Sequence, residues 1–158
     1  MNDASDSRWM LAALAEAQKA FDFGEVPVGA VAVENGKIIA TGRNRVEEKH
    51  SVTAHAELEV LRAVELIRHD WRMHGVTIYV TKEPCPMCAG ALVNARCDRI
   101  VFGASDPAFG GCGGAVAIPE IPGALYHPEV SGGVESDASL NLLRRFFRER
   151  REKKKSSL

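Results

Sequence analysis

The sequence predicts an α/β fold, and three observations carry that expectation. A 3.6-residue apolar period opens the chain, an Asn-Gly turn joins two strand-like runs behind it, and helix-like and strand-like segments alternate from there on. With 158 residues, 46% of them hydrophobic and 26% charged, the chain has the size and make-up of one soluble globular domain over 1–158.

Trp9, Met10, Ala13, Leu14, Ala17, Ala20 and Phe21 set the first helical period, with Asp6 or Ser7 as N-cap and Gly24 as the stop. Val28 to Val33 and Lys37 to Thr41 read as two strands joined across Glu34-Asn35-Gly36, because Asn-Gly supplies the positive φ angles that a tight hairpin needs. Arg43 to Thr53 is polar and reads as a loop leading into a helix from about His55 to Arg68, with Leu58, Leu61, Ala63, Val64 and Ile67 facing inward. Val76 to Thr81 is a third strand, and Cys85 to Asn94 a helix that Pro84 or Pro86 starts. Arg99 to Ala104 is a fourth strand. Asp106 to Gly114 is a glycine-rich loop, and Val130 or Val134 falls in a short fifth strand. Ser136 or Asp137 caps a last helix with Leu140, Leu143, Phe146 and Phe147 on its apolar side, and a basic tail continues it.

Charge and cysteine content narrow the function classes. The formal net charge is −1, yet Arg144 to Lys155 alone carries about +6 against about −7 for the remainder. Such a segment is either a solvated helix end or a footprint for phosphates. The four cysteines make no disulfide framework, which suits a reducing cytoplasm. Met1 to Ser7 is polar and acidic, so no signal peptide is expected ahead of Trp9, and no apolar run approaches the length of a membrane span.

Two short motifs carry chemistry. His55-Ala56-Glu57 and Pro84-Cys85-Pro86-Met87-Cys88 offer one imidazole and two thiolates, three ligands of the kind tetrahedral zinc takes, with the fourth position left open. Zinc lowers the pKa of a bound water from about 15.7 to near 7, and Glu57, two residues past the His, is placed to carry the proton. A redox-active Cys-x-x-Cys would give His55 and Glu57 no role, and a closed structural site needs a fourth ligand. Only Cys97, which reads as a small buried hydrophobe, and Cys112, in the glycine-rich loop, are candidates for one. Both half-sites fall at helix N-termini, where the dipole favours anionic groups by up to about 1 kcal/mol each. His-x-Glu followed by Pro-Cys-x-x-Cys is the established signature of zinc deaminases and is applied here as a known pattern.

The chain resembles, over nearly its whole length, the bacterial tRNA-specific adenosine deaminase family (TadA) of the cytidine deaminase-like superfamily. The resemblance rests on Glu25-Val26-Pro27-Val28-Gly29-Ala30, Asn44-Arg45, Thr53-Ala54-His55-Ala56-Glu57, Glu83-Pro84-Cys85-Pro86-Met87-Cys88-Ala89-Gly90-Ala91, Val101-Phe102-Gly103-Ala104 and Phe146-Phe147-Arg148. It implies a three-layer α/β/α fold around a mixed five-stranded sheet. It also implies hydrolytic conversion of the wobble adenosine of a tRNA anticodon, expected of arginine tRNA, to inosine in a homodimer. The implied roles are zinc ligation, one ion per chain, by His55, Cys85 and Cys88, and acid–base catalysis by Glu57. Asn44 would hydrogen-bond the base, Val28 would line the pocket and Asp106 would contact a nucleotide, while Phe147 and Arg148 would reach the loop bases unless the Phe pair packs in the core.

Three stretches depart from the family's usual pattern. Ala108 to Gly114 replaces a Lys followed by Gly-Ala-x-Gly-Ser or Thr, Tyr126-His127 replaces Asn-His, and Lys82 stands where Leu is common. The first two lie where the family holds substrate nucleotides. Deamination of a free base or nucleoside, guanine or cytosine, is the nearest alternative, since such relatives share the metal motif. A non-catalytic, zinc-stabilised RNA-binding module would leave Glu57 and the open coordination position unused.

Overall fold

The structure, a computed structural model, describes residues 4–157; Met1 to Asp3 of the polar N-terminal stretch lie outside the described residues. Helix α1 (Ala4–Asp22) is followed by strands β1 (Gly29–Glu34) and β2 (Lys37–Arg43), then by a short helix α2 (Val46–Lys49) and by α3 (Ala56–Arg68). Strand β3 (Thr77–Lys82), helix α4 (Pro86–Asn94), strands β4 (Arg99–Ala104) and β5 (Glu129–Ser131) and helix α5 (Ser136–Ser156) complete the order. The sheet runs β2-β1-β3-β4-β5, antiparallel from β2 to β3 and parallel from β3 to β5, a mixed five-stranded sheet as expected.

Asn35 and Gly36 close the hairpin with φ of 51° and 71°, the conformation of a two-residue turn that follows the strand twist. The central strands are buried on both faces and their residues alternate between two clusters. Ala30, Ala32, Ile78, Val80, Ile100 and Phe102 pack with Val60, Leu61 and Val64 of α3 and Leu92 of α4. Val31, Val33, Tyr79 and Val101 pack with Trp9, Met10 and Ala13 of α1. Helix α5 lies against β4 and α1, so the sheet has helices on both faces, the three-layer arrangement.

Several local expectations are corrected. Helix α1 begins at Ala4, so Asp6 is no N-cap: it is 1% exposed, its carboxylate takes both terminal nitrogens of Arg99 at 2.8 Å and the Tyr79 hydroxyl at 2.7 Å. The expected loop 43–53 contains α2, whose N-terminal amides are held by Glu25. In α3 the buried face is Ala56, Glu57, Val60, Leu61 and Val64, whereas Ile67 is 60% exposed. Val130 lies in β5, whereas Val134 is buried beyond the strand, bonded through its N–H to the Phe102 carbonyl. Glu135, in the left-handed region, precedes α5 in place of Ser136 or Asp137, and Ser139, Leu143 and Phe146 form its buried stripe while Phe147 is 43% exposed. Among the described residues no helix is long and apolar enough to cross a membrane.

Candidate active site

The site lies beyond the carboxyl end of β3, where the chain turns from Lys82 through Glu83-Pro84 into α4 and where the N-terminus of α3 arrives alongside. This is the side on which open α/β sheets bind ligands. His55 and Cys85 are the N-cap residues of α3 and α4, both extended, and Pro86 occupies the first helical position with its fixed φ. Cys88, one turn into α4, is fully buried.

His55 Nδ1 stands 3.7 Å from Cys85 Sγ and 3.4 Å from Cys88 Sγ. A tetrahedral zinc with bonds of about 2.0–2.1 Å to nitrogen and about 2.3 Å to sulfur sets its ligand atoms about 3.6 Å apart, so the three side chains fit that ion. Among the described residues this is the one His/Cys/Asp/Glu cluster with metal-ligand spacing. Neither Cys97 nor Cys112 joins it: both are free thiols, and burial pushes each up to about 12. Cys85 is held down to about 4, first by the hydrogen bond from the Cys88 thiol and then by that from His55, while the same contact and burial raise Cys88. His55 is raised in turn by its bond to Cys85. A thiolate, a thiol and an imidazole in mutual hydrogen-bond contact are the donor set that a zinc ion completes, with release of protons.

Glu57 follows in the first turn of α3, 4% exposed, and burial raises its carboxyl pKa above the ordinary range. It lines, with His55 and Cys85, a cavity of about 280 Å³ whose further walls include Val26, Val28, Asn44, Lys82 and Glu83, with Arg150 of α5 at its edge. That is close to the lower end of the roughly 300–1,000 Å³ typical of small-molecule sites, room for a nucleoside rather than an extended ligand. A buried carboxyl whose pKa is raised by burial, beside a metal-type cluster, is equipped to move protons.

The remaining residues singled out in the sequence are placed unequally. Val28 and Asn44 line the cavity; the Asn44 amide donates to the Val26 carbonyl at 3.2 Å and accepts the Val46 N–H at 3.2 Å. Asp106 is outside the lining. It pairs with Lys82 at 3.1 Å and accepts the N–H groups of Ala108 and Phe109, and against the upward push of burial these partners lower its pKa. Phe147 and Arg148 are exposed on α5 away from the lining, with Phe147 edge-to-face on the buried Phe146, so one ring of the pair packs in the core and the other does not. Arg150 is the α5 residue at the cavity.

The sequence alone gives two glutamates no role. Glu25, 1% exposed, takes the N–H groups of Glu47 and Glu48 at 3.0 and 2.9 Å. Glu83, 4% exposed, takes those of Asp106, Cys112 and Gly114 at 3.0, 3.0 and 2.9 Å. Each nails one loop beside the cavity to the sheet. The glycine-rich loop is therefore fixed at Asp106, Cys112 and Gly114. Gly110 and Gly114 allow the approach, since a Cβ would stand 2.0 Å from Glu83 Oε2 at the first and 2.1 Å from the Asp106 carbonyl oxygen at the second. The only sequence signal is position: each acid lies one or two residues before a proline at a strand end.

Residues 4–151 match the MafB19-like deaminase family. The chain is 44% identical over 153 residues to the tRNA-specific adenosine deaminase of Bacillus subtilis (strain 168), across 96% of this chain and 94% of that one. The chain belongs to the tRNA-specific adenosine deaminase family. A solved structure from studies of A-to-I editing by tRNA:A34 deaminases at the wobble position of transfer RNA superposes with a TM-score of 0.83 at 39% identity, over 85% of this chain and 98% of the other. A guanine deaminase from Bacillus subtilis matches less: TM-score 0.61, 33% identity and 66% of each chain. The adenosine deaminase family thus accounts for nearly the whole chain, and the deaminase family match takes in α5 up to residue 151.

Proposed function

We propose that this chain is a zinc-dependent hydrolase that deaminates adenosine to inosine at the wobble position of tRNA anticodons, arginine tRNA among them, as a cytoplasmic homodimer of one-domain chains with one zinc each. The observation that carries the reading is the buried Glu57 carboxyl in the same cavity wall as His55 and Cys85, which with the buried Cys88 behind them form the donor cluster. Its substrate side rests on the near full-length kinship with tRNA-specific adenosine deaminases.

Zinc, held by His55 Nδ1 and the two sulfurs, would supply the Lewis acidity that makes water a nucleophile near neutral pH. Glu57 takes the proton of the attacking water as the oxygen bonds to C6 of the adenine, delivers it to the ring nitrogen N1, and then moves the remaining proton of the C6 hydroxyl to the departing amine. The C6–N bond breaks, ammonia leaves and the ring keeps the oxygen. Val28 gives the base an apolar wall and Asn44 a polar one, and Glu25 and Glu83 keep the cavity's loops in place without touching the reacting atoms.

The zinc-loaded protein incubated with unmodified arginine tRNA is expected to yield inosine at the wobble position, read by nuclease digestion and mass spectrometry. Efficient turnover of free guanine or adenosine with none of the tRNA would overturn the substrate and leave the reaction standing.

A further inference from the structure

The loop 106–114 contains no lysine or arginine, so it has no side-chain cation to offer an RNA phosphate. What it does present is Phe109, 64% exposed. The loop beneath this ring is unusually well fixed for a surface segment. The Phe109 N–H is held by Asp106 Oδ1 at 3.0 Å, the Gly110 N–H by the Asp106 carbonyl at 2.8 Å and the Gly111 N–H by the Pro84 carbonyl at 2.7 Å. Gly111 packs so closely on the metal-ligand turn that a Cβ there would stand 2.9 Å from the backbone of Cys85 and Pro86. Asp106, three residues before the ring, is tied to Lys82 in the cavity wall. A largely exposed aromatic face on a rigid loop, backed onto the turn that carries Cys85, contributes little to the core of its own chain.

We propose that Phe109 is the stacking platform for a nucleotide flanking the target adenosine, a positioning residue that holds the RNA strand while its neighbour enters the cavity. The inference rests on the RNA-loop reading under Proposed function. A base removed from the anticodon stack needs its flanking bases held apart, and unstacked bases of RNA loops are held on aromatic side chains. Stacking is sequence-tolerant, because every base has a π-face, and adds little salt dependence, unlike the phosphate contacts available to the basic helix α5.

The test is a cycle in kcat/KM on an anticodon stem-loop RNA that carries the wobble adenosine, prepared with normal and with abasic nucleotides on either side of it. On the normal RNA, Phe109→Ala and Phe109→Leu should each lose about 5- to 150-fold and Phe109→Tyr should retain activity. With the abasic nucleotide at the flanking position that Phe109 serves, the wild-type chain should fall to the level of the alanine variant and that variant should lose nothing more. Losses that simply add at both flanking positions, or a leucine variant as active as wild type, overturn the platform while the deaminase reading stands. Absence of inosine from the wild-type chain on the normal RNA overturns the substrate reading, and the platform with it.

Discussion

Glu83 Oε2 accepts the backbone N–H of Gly114 at 2.9 Å across 31 residues of chain, and that one carboxylate, by also holding Asp106 and Cys112, joins the metal-ligand turn to the loop beside it. Glu83→Ala leaves three amides without their acceptor, each costing about 1–3 kcal/mol if it stays buried. We expect destabilisation of about 3 kcal/mol in chemical denaturation, faster amide exchange over 106–114, and reduced deamination with zinc still bound. Glu83→Gln, which keeps one acceptor oxygen, should fall between. Unchanged exchange in this loop in the alanine variant contradicts the tethering role.

Glu57→Ala should retain metal and fold and lose deamination by about 10²- to 10⁴-fold or more, since one group serves several proton transfers. Metal content by atomic emission and turnover on tRNA are the paired measurements. Loss of zinc along with activity would instead make Glu57 a ligand, and near-normal turnover would remove it from catalysis.

The cysteines give a pH signature in metal-stripped protein. Cys85 titrates near 4, held down first by Cys88 and then by His55. Its thiolate is therefore present above about pH 5, and alkylation by iodoacetamide should be nearly flat from about pH 5 to 8 and fall below about 4. An ordinary thiol, near 8.5, instead gains about tenfold per unit over that range. Cys88, raised by the same contact and by burial, should resist. Zinc should protect Cys85; reaction at an ordinary thiol's pH dependence would show that the hydrogen bonds from Cys88 and His55 do not hold the Cys85 thiolate as described.

Asp6 marks where sequence reading stops. A polar residue ahead of an apolar period is the normal sign of an N-cap, and replacing a cap costs about 1 kcal/mol. Its partner Arg99 is 93 residues away and the two meet only once the sheet is built. Asp6→Ala should consequently cost about 3–5 kcal/mol, the scale for breaking a buried pair. A destabilisation near 1 kcal/mol in urea denaturation would restore the cap.

The same distinction runs through the site. The three metal-type donors are legible because their type and spacing are local, two of them within one helical turn and the third at a helix start. Strands β1, β3 and β4 are legible as short, near-continuous apolar runs, the pattern of strands buried on both faces, whereas the cluster each residue joins is seen only once the helices are in place. Glu25 and Glu83 are not legible, because a buried glutamate and a solvated one look alike until the loops whose amides they hold come back to them. Ile67 misleads in the opposite sense: it keeps the helical period of α3 yet is 60% exposed.

Helix α5 separates packing from charge. Leu143 and Phe146 bury one stripe of it, Phe146 meeting Phe21 edge-to-face at 5.8 Å, while the residues from Arg151 to Ser157 are all exposed. Cutting after Arg150 removes Arg151 and the three lysines but keeps the buried stripe and the arginine at the cavity edge, so the shortened chain should fold with an unchanged denaturation midpoint. If the exposed cations touch the phosphates of an RNA loop, every phosphate that is no longer neutralised flattens the log–log salt dependence of tRNA binding by roughly 0.7. We therefore expect weaker tRNA binding, a shallower slope across several salt concentrations, and kcat at saturating tRNA close to that of the full chain. Removal of basic side chains that touch no phosphate would leave the slope as it was, and the end of α5 would then serve only to keep the chain in solution.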